Sequence, residues 1–225
     1  MAVAQAHTEE AIRNRCYKAI FDLVPQDGLA IEVMHSSTDW LFHRALYDWY
    51  LTTDPSKLLY LQSPFILPYL IDKSRTSLEH ADLLWQRYAK QENWLEAAMV
   101  LQDLANSDFP ITFYQRLEYI SRARSYCSSR SDDSKADIIA GLRQACEDLL
   151  EVSAVQEDII SAIKDDTRIP DGRKNDLVEM LNGKILSLSD LFNNFADPLG
   201  YKKICLNIFS LANFQDQQVI EKYKT

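Results

Sequence analysis

Residues 83–105, LLWQRYAKQENWLEAAMVLQDLA, decide the fold class of this chain. Apolar residues recur at the three- and four-residue spacing of amphipathic helices on both sides of a short polar turn. Asn93 and Glu96 have the spacing of a capping box that starts the second helix. The stretch therefore predicts a short antiparallel helix pair, whose apolar face needs neighbouring helices. Trp85 and Trp94 are large enough to fill the space between this pair and the next.

The composition favours helices along the whole chain. Of the 225 residues, 47% are hydrophobic and 25% are charged, while 5 Gly and 7 Pro leave little material for sheet turns or flexible linkers. The net charge is −9, and the sequence contains no local block of basic residues. Because binding to phosphates needs clustered Lys and Arg, direct contact with nucleic acid is not expected. The nearest cluster, Arg116, Arg122 and Arg124, is interpreted as a solvated helix face.

The cysteines and the termini bear on the environment of the chain. The four cysteines are far apart, lie in apolar helical contexts and are predicted to be buried free thiols of a reducing compartment: Cys16, Cys127, Cys146 and Cys205. The N-terminus lacks an apolar signal core and no run is long enough to span a bilayer, so this segment is not expected to insert into a membrane. Helical patterns begin near residue 8 and continue almost to the end, which indicates a fragment of a larger protein.

Helix signals recur along the rest of the chain and predict roughly ten to twelve helices. Residues 30–34 allow either a short strand or a helical turn, and a helix is favoured because nothing else offers a strand partner. Gly183 is predicted to be a left-handed helix cap. The helix starts are assigned to Thr8, Asp39, Asp54, Ser63, Ser77, Thr112, Pro170, Ser187 or Ser189, and Asp216.

The second half is expected to contain one long helix, because the apolar pattern runs without interruption over residues 132–163, near 45 Å at about 1.5 Å per residue. The polar residues 128–136 before and at its start are interpreted as a loop or hinge. No strict repeat period fits the helices. The predicted architecture is therefore all-α, an irregular α-solenoid of stacked antiparallel hairpins that forms a single segment over residues 1–225.

No constellation typical of an enzyme occurs in the sequence. Nucleotide-binding, metalloprotease and hydrolase motifs are absent. The histidines are too far apart for a metal site and are interpreted as surface or core residues: His7, His35, His43 and His80. Asp132-Asp133 and Asp165-Asp166 flank helix ends, the first suited to a helix N-terminus and the second to a solvated loop. We therefore expect no enzyme, no catalytic residue, no metal and no cofactor.

Aromatic residues are concentrated in the first half: Trp40, Phe42, Tyr47, Trp49, Tyr50, Tyr60, Phe65, Tyr69, Trp85, Tyr88 and Trp94. They either fill the space between hairpins or line an exposed groove for a partner peptide, and the sequence assigns no partner-binding residue. A Trp94→Ala change would separate these cases. It should cost about 3–5 kcal/mol if Trp94 lies in the core, and under about 1 kcal/mol, with loss of partner binding, if it lies at an interface.

Five segments together resemble one known family: LYDWYL (46–51), SPFILPYLID (63–72), DLLWQRYAKQENWLEAAMVLQDLA (82–105), QRLEYISRA (115–123) and FADPLGYKKICLNIF (195–209). Their order and spacing are similar to those of the C-terminal α-helical solenoid of the large inner-ring scaffold nucleoporins, which join a β-propeller to that solenoid. QRLEYISRA and FADP are the most specific of these words.

The resemblance implies a C-terminal piece of a nuclear pore protein at the nuclear envelope. It also implies a structural role that links adaptor and membrane-associated nucleoporins and supports nucleocytoplasmic transport, with no catalytic residues. The alternative from another class is a peptide-binding adaptor solenoid of a vesicle coat or transport receptor. A helical enzyme is a weaker third interpretation.

Overall fold

The computed structural model describes residues 2–23, 34–129 and 133–224, with the side chains of these residues except 2–8 and 133. Within this part the chain is all-α and holds no strand, which confirms the predicted fold class. The predicted element at residues 30–34 and the predicted hinge at 128–136 fall partly outside the described residues. That residues 1–225 act as one solenoid segment with such a hinge stays a prediction.

Contacts divide the chain into two compact units, Met1–Asn93 and Trp94–Thr225. The helices of the first unit are α1 (Ala2–Leu23), α2 (Trp40–Thr53), α3 (Lys57–Tyr60), α4 (Ile66–Ser74) and α5 (Leu78–Lys90). Helix α2 packs against α1 and α3, and both α3 and α4 pack against α5.

The second unit is organised around its longest helix. The helices are α6 (Trp94–Asn106), α7 (Phe113–Cys127), α8 (Ala136–Asp165), α9 (Asp171–Leu181), α10 (Leu188–Leu191), α11 (Lys202–Leu211) and α12 (Gln217–Lys224). A π-helical turn, Phe192–Ala196, continues α10. Helix α7 packs between α6 and α8, while α9, α10 and α11 pack along α8. The twelve α-helices of the described residues match the upper end of the predicted number.

The predicted long helix is confirmed as α8, which has 30 residues. One stripe of it is buried and includes Val155, Ile159 and Ile163. These side chains belong to the core of the second unit, with Phe113 from α7 and Phe195 from the π-helical turn. A helix that carries its apolar residues on one stripe is stabilised mainly by such packing, so α8 serves as the spine on which the later helices assemble.

The two helices predicted in residues 83–105 are confirmed as α5 and α6, and the division between the units falls in the turn that joins them. Glu92 adopts the left-handed conformation with φ 59°, which ends α5. The amide of Asn93 then donates to the carbonyl of Tyr88 at 2.9 Å. Glu96 accepts from Lys135 Nζ at 2.9 Å, a partner that the sequence analysis did not expect.

Several predicted helix starts and caps are confirmed, and others are wrong. The start at Thr8 is wrong because α1 already begins at Ala2, and α3 and α4 begin at Lys57 and Ile66, after the starts predicted at Asp54 and Ser63. Asp39 accepts from the Leu41 amide, and Ser187 and Asp216 accept from amides at the starts of α10 and α12. Ser77 makes no cap bond, because its hydroxyl contacts the His80 ring instead. Gly183 is not left-handed; the described glycine in that region of backbone space is Gly200, with φ 74°.

Trp94 is half-buried and its ring lies 5.2 Å, between centroids, from that of Tyr126 on α7. Because part of the indole is already in water, we expect Trp94→Ala to lower the free energy of unfolding by about 1–3 kcal/mol, less than for a core tryptophan. Urea denaturation of the variant measures this loss. Met99→Ala on the same helix is the control, since Met99 is 48% exposed and should cost under about 0.5 kcal/mol.

Candidate interaction site

Most of the aromatic cluster of the first half is packed inside, as the first of the two interpretations predicted. Tyr47, Tyr50, Tyr69 and Trp85 are buried, and five further members are half-buried: Phe42, Trp49, Phe65, Tyr88 and Trp94. The two exposed members are Trp40, at 38%, and Tyr60, at 63%. Exposed aromatic rings are favoured at interface hot spots, so these two are the candidates for partner contact.

The described histidines of the first unit have structural hydrogen bonds. His43 is buried and its Nε2 donates to the carbonyl of Ser37 at 2.6 Å. The hydroxyl of Tyr69 donates to Asp48 at 2.6 Å and lies 3.1 Å from His80 Nε2. Burial, together with the adjacent Asp48 carboxylate, raises the pKa of Tyr69 far above its ordinary value. These bonds fix the helices of the unit to one another.

A surface pocket of about 390 Å³ opens next to Tyr60. Tyr50 and Leu61 line it from below, since both are buried. Lys57 Nζ lies 5.2 Å from the centroid of the Tyr50 ring, and Lys90 Nζ lies 5.0 Å from that of Tyr60. Lys90 also donates to the Tyr60 hydroxyl at 3.0 Å. The pocket thus combines an aromatic and aliphatic lining with the ammonium group of Lys57, and the ammonium group of Lys90 lies beside it at the Tyr60 ring.

A buried arginine supports the wall of this pocket. Arg87 is 3% exposed, and its two terminal nitrogens donate to the carbonyls of Leu58 and Leu61, both at 2.8 Å. These carbonyls lie where α3 gives way to extended chain, so they lack helical partners. Among the described residues Arg87 has no ion pair with a carboxylate, and its Nε has no hydrogen-bond partner. Its charge is therefore balanced by the dipoles of these carbonyls.

Arg116 corrects the prediction of a solvated basic face, because it is 2% exposed. Its guanidinium donates to four carbonyls at 2.8–3.1 Å: those of Ala105, Ser107, Phe109 and Gly183. The loop between α6 and α7 leaves its carbonyls without helical partners, and the five donors of one arginine satisfy them. Arg122 and Arg124 do face outward, with Arg122 bound to Glu118 at 2.7 Å.

Gln156 is a buried polar residue that sequence reasoning missed. Its amide nitrogen donates to the carbonyls of Leu181 and Lys184, at 2.7 and 3.0 Å, and its oxygen accepts from the Leu186 amide at 2.9 Å. Gln156 thus holds the segment between α9 and α10 against α8. The available signal was its position, since it shares a helix face with Ile159, Ile160 and Ile163, where a solvated glutamine is not expected.

Asp166 corrects the prediction of a carboxylate pair in a solvated loop. Its side chain is 7% exposed and accepts from the Arg168 guanidinium through both oxygens. This pairing holds the pKa of Asp166 far below its usual range. The Tyr201 hydroxyl also donates to it at 3.2 Å, and burial together with Asp166 raises the pKa of Tyr201 to about 12. Its neighbour Asp165 is exposed, as predicted.

The cysteine prediction is confirmed for three residues and wrong for one. Cys127, Cys146 and Cys205 are buried free thiols, whereas Cys16 is exposed on α1. Burial raises the pKa of the Cys146 and Cys205 thiols to about 11 and raises that of Cys127 as well. Because the thiolate is the reactive form, burial and a raised pKa both protect these three from alkylation.

We expect thiol titration of the folded chain with a disulfide reagent at pH 8 to show one fast cysteine and three slow ones. All four should react together in denaturant. The matched control is Cys16→Ser, which should remove the fast phase and leave the slow phases unchanged. Fast reaction of two or more thiols in the folded chain would contradict the assignment.

In the described part of the chain, no group of three or more His, Cys, Asp or Glu side chains could hold a metal ion. None of the helices described in this structure combines the length and the apolar character that crossing a bilayer requires.

Comparison with known proteins gives consistent matches. Residues 6–225 match the family described as non-repetitive/WGA-negative nucleoporin C-terminal. Nucleoporin NUP170 of Saccharomyces cerevisiae is 43% identical over 183 residues, which are 81% of this chain and 12% of that protein. A probable nucleoporin of Schizosaccharomyces pombe is 38% identical over an aligned length of 218 residues, and the match covers 90% of this chain and 16% of that protein. The chain thus spans under a fifth of these relatives.

The fold also matches a solved structure. The Chaetomium thermophilum Nup170 C-terminal domain, crystallised as a complex with Nup145N, superposes with a TM-score of 0.81 at 34% identity, over 86% of this chain and 38% of that one. The resemblance carried by QRLEYISRA, FADP and the neighbouring segments is thereby confirmed. From the match over residues 6–225, the chain belongs to the non-repetitive/WGA-negative nucleoporin C-terminal family of nuclear pore proteins.

Proposed function

We propose that this chain is a scaffold segment of the nuclear pore inner ring, a helical module that holds other nucleoporins and supports nucleocytoplasmic transport. The observation that carries the proposal is the family match over residues 6–225. The structural neighbour from Chaetomium thermophilum was solved with Nup145N bound, which supports other nucleoporins as partners. We propose adaptor and membrane-associated nucleoporins as the partners, with no direct contact of this segment to nucleic acid or membrane.

The buried polar anchors are consistent with a scaffold. A scaffold must keep one conformation while its partners are bound. Loops held by buried hydrogen bonds are more rigid than loops held only by apolar contacts. Arg87, Arg116 and Gln156 each fix a connecting segment through two or more buried hydrogen bonds. The most strongly shifted groups, such as Tyr69 and Asp166, bond to structural neighbours, so the proposal assigns them no catalytic role.

The test uses the full-length protein that contains this chain. Tagged at one end, it should localise to a punctate nuclear rim, and its precipitation from nuclear envelope extract should recover other nucleoporins. Recovery of clathrin-type coat components or soluble transport cargo, with no nucleoporin, would overturn the proposal in favour of a peptide-binding adaptor solenoid.

A further inference from the structure

The pocket beside Tyr60 is a surface feature of the described residues that packing within the chain does not explain. Tyr60 is 63% exposed at the edge of α3, while Tyr50 is buried at the base. This exposed aromatic ring lies over a recess lined by aliphatic and aromatic side chains. A bound partner would therefore remove apolar surface of the ring from water. Leu61 completes the apolar lining at 8% exposure. A recess of about 390 Å³ has room for one large side chain and its flanking backbone.

The charges around this pocket differ in sign from the chain as a whole. The chain carries a net charge of −9. Lys57 lines the pocket and lies over the Tyr50 ring, Lys90 lies over the neighbouring Tyr60 ring, and the buried Arg87 donates to the carbonyl of Leu61. Asp54, a nearby carboxylate, accepts from the Ser56 hydroxyl at 2.5 Å. Among the described residues, the local excess of charge is therefore positive, which suits an anionic partner.

We propose that this pocket docks an acidic peptide segment of another protein, whose aromatic or large aliphatic side chain fills the recess at Tyr50, Tyr60 and Leu61. The acidic residues that flank this side chain face Lys57 and Lys90. A peptide fits better than a nucleic acid, since the recess is lined by apolar surface and two lysines cannot follow a phosphate backbone. The proposal rests on the scaffold function above, because it names the chemistry of one contact with another nucleoporin.

The lysines are held in place before binding. Each ammonium lies about 5 Å from a ring centroid, so the charge is positioned by the same rings that line the recess. Such preorganisation reduces the side-chain conformational entropy that is lost on binding. The affinity should therefore depend on both features, and removing either the positive charge or the aromatic ring should weaken it.

The experiment is an NMR titration of the chain, labelled with ¹⁵N-tyrosine and ¹⁵N-leucine, by the peptide acetyl-Glu-Asp-Phe-Glu-Asp-amide. We expect saturable shifts at Tyr50, Tyr60 and Leu61 with a dissociation constant of about 1 mM or tighter. Lys57→Glu combined with Lys90→Glu should weaken binding about tenfold or more. Tyr60→Ala should do the same, whereas the exposed Lys203→Glu is the matched charge control and should leave the affinity unchanged.

Several outcomes would overturn the pocket assignment. They are the absence of shifts at these residues up to about 5 mM peptide, equal shifts with the Gln and Asn version of the peptide, or a double lysine variant that folds by circular dichroism and binds as before. Stronger shifts with single-stranded oligonucleotide would overturn it too. The scaffold function is judged separately: if the wild-type full-length protein recovers nucleoporins and the double variant recovers them equally, the pocket fails and the scaffold stands.

Discussion

Replacing Arg116 with methionine should lower the free energy of unfolding by about 3–5 kcal/mol. The guanidinium is 2% exposed and donates to four carbonyls, one from the last turn of α6, two from the loop after it and one from Gly183. Methionine fills a similar volume but donates no hydrogen bond, so these carbonyls would stay buried without this partner. The loss should be large because the same residue connects segments 67 positions apart in sequence.

Urea denaturation followed by far-UV circular dichroism measures the change. The matched control is Arg122→Met on the same helix, which breaks an exposed pair with Glu118 and should cost under about 0.5 kcal/mol. Arg116→Lys is informative as well, since it keeps the charge but cannot reach four carbonyls at once; it should recover less than half of the loss. A loss below about 1 kcal/mol for Arg116→Met would show that the carbonyls find other partners.

The burial of Arg116 could not be predicted from its neighbours in sequence. Arg116, Glu118 and Arg122 have the mixed charges of a solvated helix face, and for Arg122 that interpretation is right. Arg116 is buried because it bonds to the carbonyl of Gly183, which is distant in sequence, and to carbonyls of the loop after α6. Contacts of this kind depend on the tertiary arrangement, which local periodicity does not encode.

Features with local causes were predicted well. The helix starts at Asp39, Ser187 and Asp216 follow from a side-chain oxygen that can reach amides two or three residues on. The long helix α8 follows from an uninterrupted apolar stripe. The errors at Gly183 and Asp166 have a different cause, because each of these residues accepts a hydrogen bond from a distant part of the chain, Gly183 from Arg116 and Asp166 from Tyr201. The error at Ser77 comes from a competing local bond with the ring of His80.

The candidate pocket was only partly predictable. Tyr50 and Tyr60 belong to the aromatic cluster found in the sequence, but nothing in the spacing separates the buried ring from the exposed one. The two lysines come from α3 and α5 and meet the rings only in the folded unit.

The most specific family words contain residues whose hydrogen bonds hold the fold, buried at Arg116 and exposed at Gln115 and Asp197. QRLEYISRA contains Gln115, which caps α7 reciprocally with Thr112, and also contains Arg116. In the other word, Asp197 accepts from the Tyr223 hydroxyl at 2.6 Å, which ties α12 to the loop before α11. Hydrogen-bonded anchors accept few substitutes, because a replacement must supply the same donors in the same geometry. These words therefore identify the fold of the family rather than a partner-binding surface.

Replacing Gln156 with leucine should lower the free energy of unfolding by about 2–4 kcal/mol. Leucine has a similar volume, so the cavity term is small, and the cost comes from two carbonyls and one amide that lose a buried partner. The Leu186 amide gives a local readout, since its hydrogen exchange should accelerate more than that of the α8 amides.

Gln144→Leu is the control on the same helix, because Gln144 is exposed and bonds only to Asp148 among the described residues. It should change stability by under about 0.5 kcal/mol. If Gln156→Leu destabilises the chain no more than this control, or if the Leu186 amide keeps its protection, then Gln156 does not hold the segment between α9 and α10. A large loss with selective exposure of Leu186 would instead show that one amide side chain secures this segment on the spine of the second unit.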